Sequence, residues 1–355
     1  MSRYDLENEQ LGELLIGEPG FRVNQLKDGL YKQLVEIDEL TVFSKTLRDR
    51  LSADERLASS LAIITEQVAD HGQTIKWLFG LHDGAEIETV LMHYRNHSTV
   101  CISSQAGCAM ACTFCATGHG GYTRQLSVGE IVEQVVLASR RARSDGRRVD
   151  HVVFMGMGEP FANFDRVWRA VERIVHDLGL AARHVTLSTV GLIPQINLLA
   201  DKPLQVNLAV SLHAANNASR SELVPINRRY PIERLVESLE RYFDKTHRRI
   251  SFEWALIAGV NDSSKDVAEL AMIANSLRAH VNLIPLNPIQ TDEPFSMEGS
   301  SPERVESFAE ELRELGVNTT VRRTRGRSID AACGQLAART RVEITRQEDR
   351  HTPTL

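Results

Sequence analysis

Three cysteines fall within eight residues, in the run Cys108-Ala-Met-Ala-Cys112-Thr-Phe-Cys115. Three thiolates on one loop suit three irons of a [4Fe–4S] cube and leave the fourth iron open. An open iron can chelate the amino and carboxylate groups of S-adenosylmethionine (SAM). Reduction of the cluster then allows cleavage of the sulfonium to a 5′-deoxyadenosyl radical. A four-cysteine zinc site that borrows Cys101 is the competing arrangement. Such sites usually pair Cys-x2-Cys units, and this chain has one. Three core thiols packed this closely fit the spacing less well still.

Other residues could complete such a site. In Gly156-Met-Gly158-Glu159-Pro160 the glycines allow close backbone approach, and the carboxylate can accept hydrogen bonds from the SAM amino group. The same turn also serves as a plain helix entry. Ser188, Ser211-Leu212-His213 and Asn287 are ordinary at strand ends and become a SAM site only if those ends converge. His213 suits a proton donor as well as it suits packing or a simple hydrogen bond. Cys333 sits in Arg325-Gly-Arg-Ser-Ile-Asp330-Ala-Ala-Cys333-Gly-Gln, small and polar surroundings unlike those of an inert core thiol. Nearby arginines favour its thiolate, so it reads as reactive. The stretch Arg322-Arg323-Thr-Arg325-Gly-Arg327 leaves solvation and anion binding both open. Arg140-Arg141-Ala-Arg143 with Arg147-Arg148 reads as a solvated helix face.

The elements that must position these residues follow a regular order. Residues 1–62 read as helical, with Gly17-Glu-Pro-Gly20 breaking two helices. Short strands follow at Ile75–Leu81, Ile87–Met92 and Val100–Ile102, the first two joined at an Asp83-Gly84 turn. Strands near 151–155, 184–187, 205–210, 250–256 and 281–285 then alternate with helices near 163–178, 193–200, 231–245, 264–278 and 302–315. Such alternation means parallel strands with right-handed crossovers. Counting Val100–Ile102 as the first strand gives six units, short of the eight of a closed barrel. The expected fold is α/β: a partial (β/α)6 barrel over 98–343, preceded by a helical N-terminal unit (1–62) and a β-rich connector (63–97), with a polar tail at 344–355. Each of these strand ends carries a chemistry-bearing residue, and strand C-terminal ends are where α/β barrels carry function.

The totals fit this reading. With 355 residues, 42% of them hydrophobic and 25% charged, the chain can bury a large core without disulfides. A formal charge of −6 argues against nonspecific coating of nucleic acid but allows a local basic patch. The start, Met1-Ser-Arg-Tyr-Asp-Leu-Glu, lacks signal-peptide or transit-peptide character, and no apolar run spans a bilayer. A cytoplasmic protein is expected, and its five cysteines are then ligands, reactive thiols or core filler rather than a disulfide framework.

Taken together, these residues resemble the RlmN/Cfr family of radical SAM RNA adenine methyltransferases. The likeness runs through Gly20-Phe-Arg22, Ile87-Glu88-Thr-Val90, Val100-Cys101-Ile-Ser-Ser-Gln-Ala-Gly-Cys108, Gly156-Met-Gly-Glu-Pro160, Val210-Ser-Leu-His213, Pro225-Ile-Asn-Arg-Arg-Tyr230, Gly259-Val-Asn-Asp262, Leu283-Ile-Pro-Leu-Asn-Pro288 and Asp330-Ala-Ala-Cys333-Gly-Gln. It implies cluster ligation by Cys108, Cys112 and Cys115, and SAM binding by Gly158, Glu159, Ser188, Ser211, Leu212, His213 and Asn287. It further implies two SAM per turnover. One methylates Cys333, and the other provides the radical that activates the S-methyl group for addition to adenine. Cys101 then displaces the product by forming a disulfide with Cys333, and Glu88 is the candidate acceptor of the C2 proton. From the residues alone, Glu88 reads as a solvated strand glutamate. Partners implied are 23S rRNA, a tRNA anticodon-loop adenosine and an external electron donor, flavodoxin-like or similar. The N-terminal unit is expected to contact RNA and the enzyme to act as a monomer. Gly158-Glu159-Pro160 with Phe161-Ala-Asn163, and Phe252-Glu253-Trp254, look like the RlmN (C2) rather than the Cfr (C8, antibiotic-resistance) pattern. His93 and His119 depart from it, standing where a proline and a glutamine are common. A zinc-stabilised RNA-binding module without catalysis is the alternative of another class.

Overall fold

The structure, a computed structural model, describes residues 2–287, 297–322 and 325–336. The tail expected at 344–355 lies outside the described residues, as do Pro288 and Arg323. The N-terminal unit contains α1 (Asn8–Leu14), α2 (Phe21–Lys27) and α3 (Lys45–Ser52). Then come β1 (Leu61–Ala69), β2 (Thr74–Leu81), β3 (Glu86–His93) and β4 (Ser98–Cys101). The small strand β5 (Gln105–Gly107), α4 (Ala116–His119) and β6 (Tyr122–Gln125) surround the cysteine loop. After α5 (Val128–Ser144), strands and helices alternate through β7 (His151–Phe154), α6 (Phe164–His176), β8 (Val185–Thr189), α7 (Ile193–Ala200) and β9 (Asn207–Ser211). The chain continues with α8 (Asn217–Leu223), α9 (Ile232–Thr246), β10 (Ile250–Leu256), α10 (Ser264–Ser276), β11 (His280–Pro285), α11 (Pro302–Glu314) and β12 (Asn318–Val321).

One ten-stranded sheet runs in the order β1-β2-β3-β4-β7-β8-β9-β10-β11-β12. The pairs from β4 to β12 are parallel, and those from β1 to β4 antiparallel. The six expected parallel strands are present and form a partial, unclosed barrel. Four strands go beyond the sequence reading: β12 extends the parallel run, β1 lengthens the antiparallel edge, and β5 with β6 forms a separate hairpin. Each is short or exposed. β1 buries Leu61 and Ala69 while most residues between them face solvent, so it shows no clean period-two signal.

The interior strands turn large apolar side chains to one face, while Thr186, Ser188, Ser211, Glu253 and Asn282 lie on the other. Val152, Leu187, Val210, Phe252, Trp254 and Leu283 are all buried. On α6, Val167, Ala170, Val171 and Ile174 recur at three- and four-residue intervals and form its buried stripe. Side chains buried to this degree each contribute roughly 1.5–3 kcal/mol. Helix starts are written locally. Ser127 with Glu130 and Ser263 with Asp266 form capping boxes on α5 and α10, and Pro302 opens α11 behind the Ser301 cap.

The arginines of α5 do more than face solvent: Arg140 is half-buried, and Arg143, though exposed, is bonded to backbone. Arg140 donates to the Leu34 and Val35 carbonyls and pairs with Glu36; Arg143 donates to the carbonyls of Lys32 and Gln33. Buried Glu133, on the same helix, accepts from Ser2 Oγ at 2.9 Å and Ser60 N at 3.0 Å. These bonds fasten the N-terminal helices to the barrel. A periodicity argument saw charge and inferred water, whereas the charge satisfies helix-terminal carbonyls.

Candidate active site

The chain leaves β4 into a fixed path. Ile102 N donates to Val153 O, Ser104 N donates to Met157 O, and Ser103 Oγ donates to Glu88 O at 2.6 Å. Gly107 follows with φ +73°, where an added Cβ would lie 2.1 Å from Gly121 O. That close crossing brings Cys108 N onto Gly121 O at 2.7 Å and closes the base of the cysteine loop. Cys115 N donates to Cys112 O, and Thr113 N donates to Leu223 O. Cys108, Cys112 and Cys115 line one cavity of about 130 Å³ with residues from the ends of the parallel strands.

Burial pushes the Cys108 thiol up to about 12 and Cys112 well above its usual range. A thiolate there needs a strong cation beside it, which cluster iron is. Among the described residues no three His, Cys, Asp or Glu side chains converge as ligands of one ion. Cube ligands each take a different iron, so they need not converge. Cys101, the fourth ligand of the zinc arrangement, does not line this cavity.

The opposite wall suits SAM. Gly156 and Gly158 pack so closely that a Cβ would come within 2.6 Å of Ile102 O and 2.5 Å of Gln105 Cβ. Glu159 is buried. Its Oε1 accepts from Phe161 N and its Oε2 from Val190 N, both at 2.9 Å. Burial nevertheless raises its carboxyl to about 7, with the backbone donors opposing. His213, at φ 58°, accepts from Ala255 N on Nδ1 at 3.0 Å. Burial, helped by Arg220, pushes it down to about 3, so the ring is neutral. Phe114 of the cysteine loop meets that ring edge-on at 4.5 Å.

Ser188, Ser211 and Asn287 also line the cavity. Asn287 Oδ1 is buried without a hydrogen-bond partner, an acceptor waiting for a donor. A cluster and a SAM with its amino, hydroxyl and ring donors fit this set of residues. Leu212 stands apart. Its side chain lies in the core and its amide donates to Glu253 O.

A smaller cavity adjoins the first, lined by Cys101, Cys333, Met155, Asn287, Arg322, Arg325 and Tyr94 among others. Cys333 lines both cavities, so it is open at its surface yet crowded by protein. Its loop is tied to the end of the cluster loop by Ala116 N donating to Gly334 O at 2.7 Å, and to the end of β11 by Asn287 Nδ2 donating to Cys333 O at 3.3 Å.

Glu88 lies outside both cavities. It is buried and ion-paired with Lys76 Nζ at 2.9 Å, and Lys76 also donates to Asp330 O. The reading of a solvated glutamate therefore fails: β3 is covered on both sides, a context that its alternation does not reveal. The departures have structural partners. His93 sits between Ser98 Oγ and Asp145, and His119 reaches Thr113 O.

Three charged residues at the site escaped sequence reasoning. Arg220 is fully buried, and its guanidinium donates to Leu212 O, Val190 O, Ser211 O and Asn227 Oδ1. Burial lowers it to about 10. Glu253, on the wall of the larger cavity, accepts from Asn282 Nδ2 at 2.8 Å. Lys76 is the third. Nothing in their local sequence separates them from surface charges.

Residues 102–271 match the Radical SAM superfamily. The chain is 48% identical to the probable dual-specificity RNA methyltransferase RlmN of Chloroflexus aurantiacus, over 97% of this chain and 95% of that one. Identity to the protein of the same name in Halalkalibacterium halodurans is 43%, with the same coverage. A radical SAM methyltransferase structure from Sphaerobacter thermophilus superposes with a TM-score of 0.90 at 48% identity, covering 95% of this chain and 99% of the other.

Proposed function

Since the chain belongs to the RlmN family of radical SAM RNA methyltransferases, we propose that it forms 2-methyladenosine, in the peptidyl-transferase region of 23S rRNA and in a tRNA anticodon loop. The observation that carries this reading is the second cavity. A radical generator alone needs Cys108, Cys112 and Cys115, whereas here Cys101 and Cys333 share a wall beside it. Adenine C2 is not nucleophilic, so direct polar transfer of a methyl group to it fails, and a protein sulfur that carries the carbon first solves the problem.

The cluster, held by Cys108, Cys112 and Cys115, supplies a 5′-deoxyadenosyl radical when it and SAM are bound. Glu159, Ser188, Ser211, His213, Asn287 and the Gly158 turn orient the cofactor and keep water out. Leu212 contributes by fixing the strand end behind them. Cys333 Sγ takes a methyl group from one of two SAM per turnover, losing its proton and forming an S–C bond. It then links protein to base through that carbon. Glu88, the carboxylate paired with Lys76, takes the C2 proton; Lys76 also holds the Asp330 carbonyl, three residues from Cys333. Cys101 closes the cycle by forming a disulfide with Cys333. An external donor of flavodoxin type supplies electrons, and the N-terminal unit contacts RNA.

Nucleoside mass spectrometry of RNA from cells with and without the gene tests this. Loss of 2-methyladenosine is expected. Loss of 8-methyladenosine instead moves the enzyme to C8 chemistry, and no change in either sinks the reading.

A further inference from the structure

Cys101 has surroundings at odds with its task. It ends β4, opposite Val153 of β7, and is buried. Burial, with the Cys333 thiol adding to it, pushes Cys101 up to about 12. A thiol held in that form is a poor nucleophile. Two groups oppose the burial: the Met155 backbone amide and the guanidinium of Arg322.

Arg322 comes from the far side of the barrel. It follows β12, and its backbone N donates to Leu283 O at 2.8 Å. Its side chain crosses the barrel mouth and brings Nη1 to 3.7 Å from Met155 Sδ, into the cavity that Cys101 and Cys333 line. A thioether is a weak acceptor. The guanidinium also faces Cys333 and Glu253 of β10, both of which interact with it more strongly than Cys101 does, and Glu253 Oε2 accepts from Asn282. Among the described residues, Tyr94, after β3, and Arg325 are the other charged and titratable neighbours in this cavity, and Cys115 faces Cys333.

We propose that Arg322 is a positioning residue for the disulfide-forming step, its guanidinium easing loss of the Cys101 proton so that the thiolate can attack the Cys333 sulfur. This rests on the methyl-relay reading above. In the step, the Cys101 Sγ–Cys333 Sγ bond forms and the bond from Cys333 Sγ to the RNA-borne carbon breaks. The electron pair leaves with that carbon into the adenine ring, and a proton completes the methyl group. The two sulfurs end at the disulfide level while the carbon is reduced in balance.

The test uses the full-length, cluster-loaded protein. Iodoacetamide alkylation of each cysteine is followed by mass spectrometry across pH, in the parent and in Arg322→Gln and Arg322→Lys. Arg322→Gln should slow Cys101 alkylation severalfold at a fixed pH below its midpoint, and Arg322→Lys should restore most of the rate. During turnover, Arg322→Gln should accumulate the protein–RNA adduct, as Cys101→Ala should. If Cys101→Ala traps no adduct, the relay reading itself fails. If it does trap adduct but Arg322→Gln leaves the Cys101 profile unchanged, the role of Arg322 is overturned and the relay stands. Equal slowing in the Gln and Lys variants also overturns it, because loss of packing would affect both alike.

Discussion

The two cavities share Cys333, Met155 and Asn287, yet they treat charge in opposite ways. Around the cluster cavity charge is sealed before any ligand enters. Glu159 has both oxygens on backbone amides, His213 is neutral, and Arg220 spends its guanidinium on carbonyls and Asn227. In the relay cavity the guanidinium of Arg322 reaches the Met155 thioether and faces Cys333, Glu253 and Cys101, and Cys333 stands open. Sulfur is common to both. A site that must hold a cofactor fixes its dipoles in advance, while a site whose sulfur must change bonds keeps a cation uncommitted.

Removing the sulfurs one cavity at a time gives the largest effects. Cys112→Ala should drop bound iron and abolish methylation, leaving Cys101 and Cys333 alkylable. Cys333→Ala should keep its iron and lose only the methyl carrier. Iron analysis with alkylation mapping checks both. If Cys333→Ala also lost its iron, the two cavities would be one functional unit and the comparison would break. Next in size is Lys76→Met, which removes the ammonium opposite a buried carboxylate. Breaking such a pair costs about 3–5 kcal/mol. Urea unfolding should show that loss, with much of it recovered in Lys76→Met/Glu88→Gln. Equal stability of the single and double variants would show that the pair is not coupled.

What was legible in the sequence divides along the same line. The six parallel strands were readable because each carries a short apolar run and all alternate regularly with helices. The cluster loop was readable because its ligands are close in the chain. Cys101 and Cys333 are separated by 232 residues, as 333 − 101 gives; their shared cavity is a product of barrel curvature, and only a family resemblance linked them. Arg220 and Lys76 were opaque for a related reason, and Arg322 and Glu253, though noticed, had no burial or partner legible in their local sequence. A charge is assigned to solvent by default, and burial is decided by elements far away in sequence. The docking arginines of α5 failed in the same manner.

Stability can sharpen the contrast between the two arginines. Arg220→Met removes a buried cation and strips donors from carbonyls of the β9 end and of the turn after β8. Hydrogen bonds to charged groups are worth about 1.5–3 kcal/mol each, so a loss of about 2–3 kcal/mol is expected. Arg322→Gln keeps a polar group at a half-buried position and should cost about 1 kcal/mol or less. Paired urea titrations decide it. Equal costs would mean that Arg322 is as structural as Arg220, and would weaken its assignment to chemistry.

The smallest effect concerns whether the cofactor wall is neutral. His213 is pushed down to about 3 in the folded chain, against about 6.5 in an unfolded one. Between those values the unfolded chain binds the extra proton. The contribution of His213 is therefore complete above about pH 6.5 and is lost as pH falls toward 3. The slope is about 1.4 kcal/mol per pH unit, so roughly 2 kcal/mol disappears between pH 7 and pH 5. His213→Gln still offers an acceptor to Ala255 N but does not titrate. Its unfolding free energy should fall by about 2 kcal/mol less over that interval. His93, His151 and His280, also lowered by burial, are present in both proteins and cancel in the difference. Glu159 acts with the opposite sign, its raised carboxyl gaining stability as pH falls below 7, and it cancels too. Parallel pH profiles for parent and variant would mean that the ring takes a proton without penalty. The cluster wall would then hold an ionisable charge as uncommitted as Arg322, and the distinction between a sealed cavity and an open one would go.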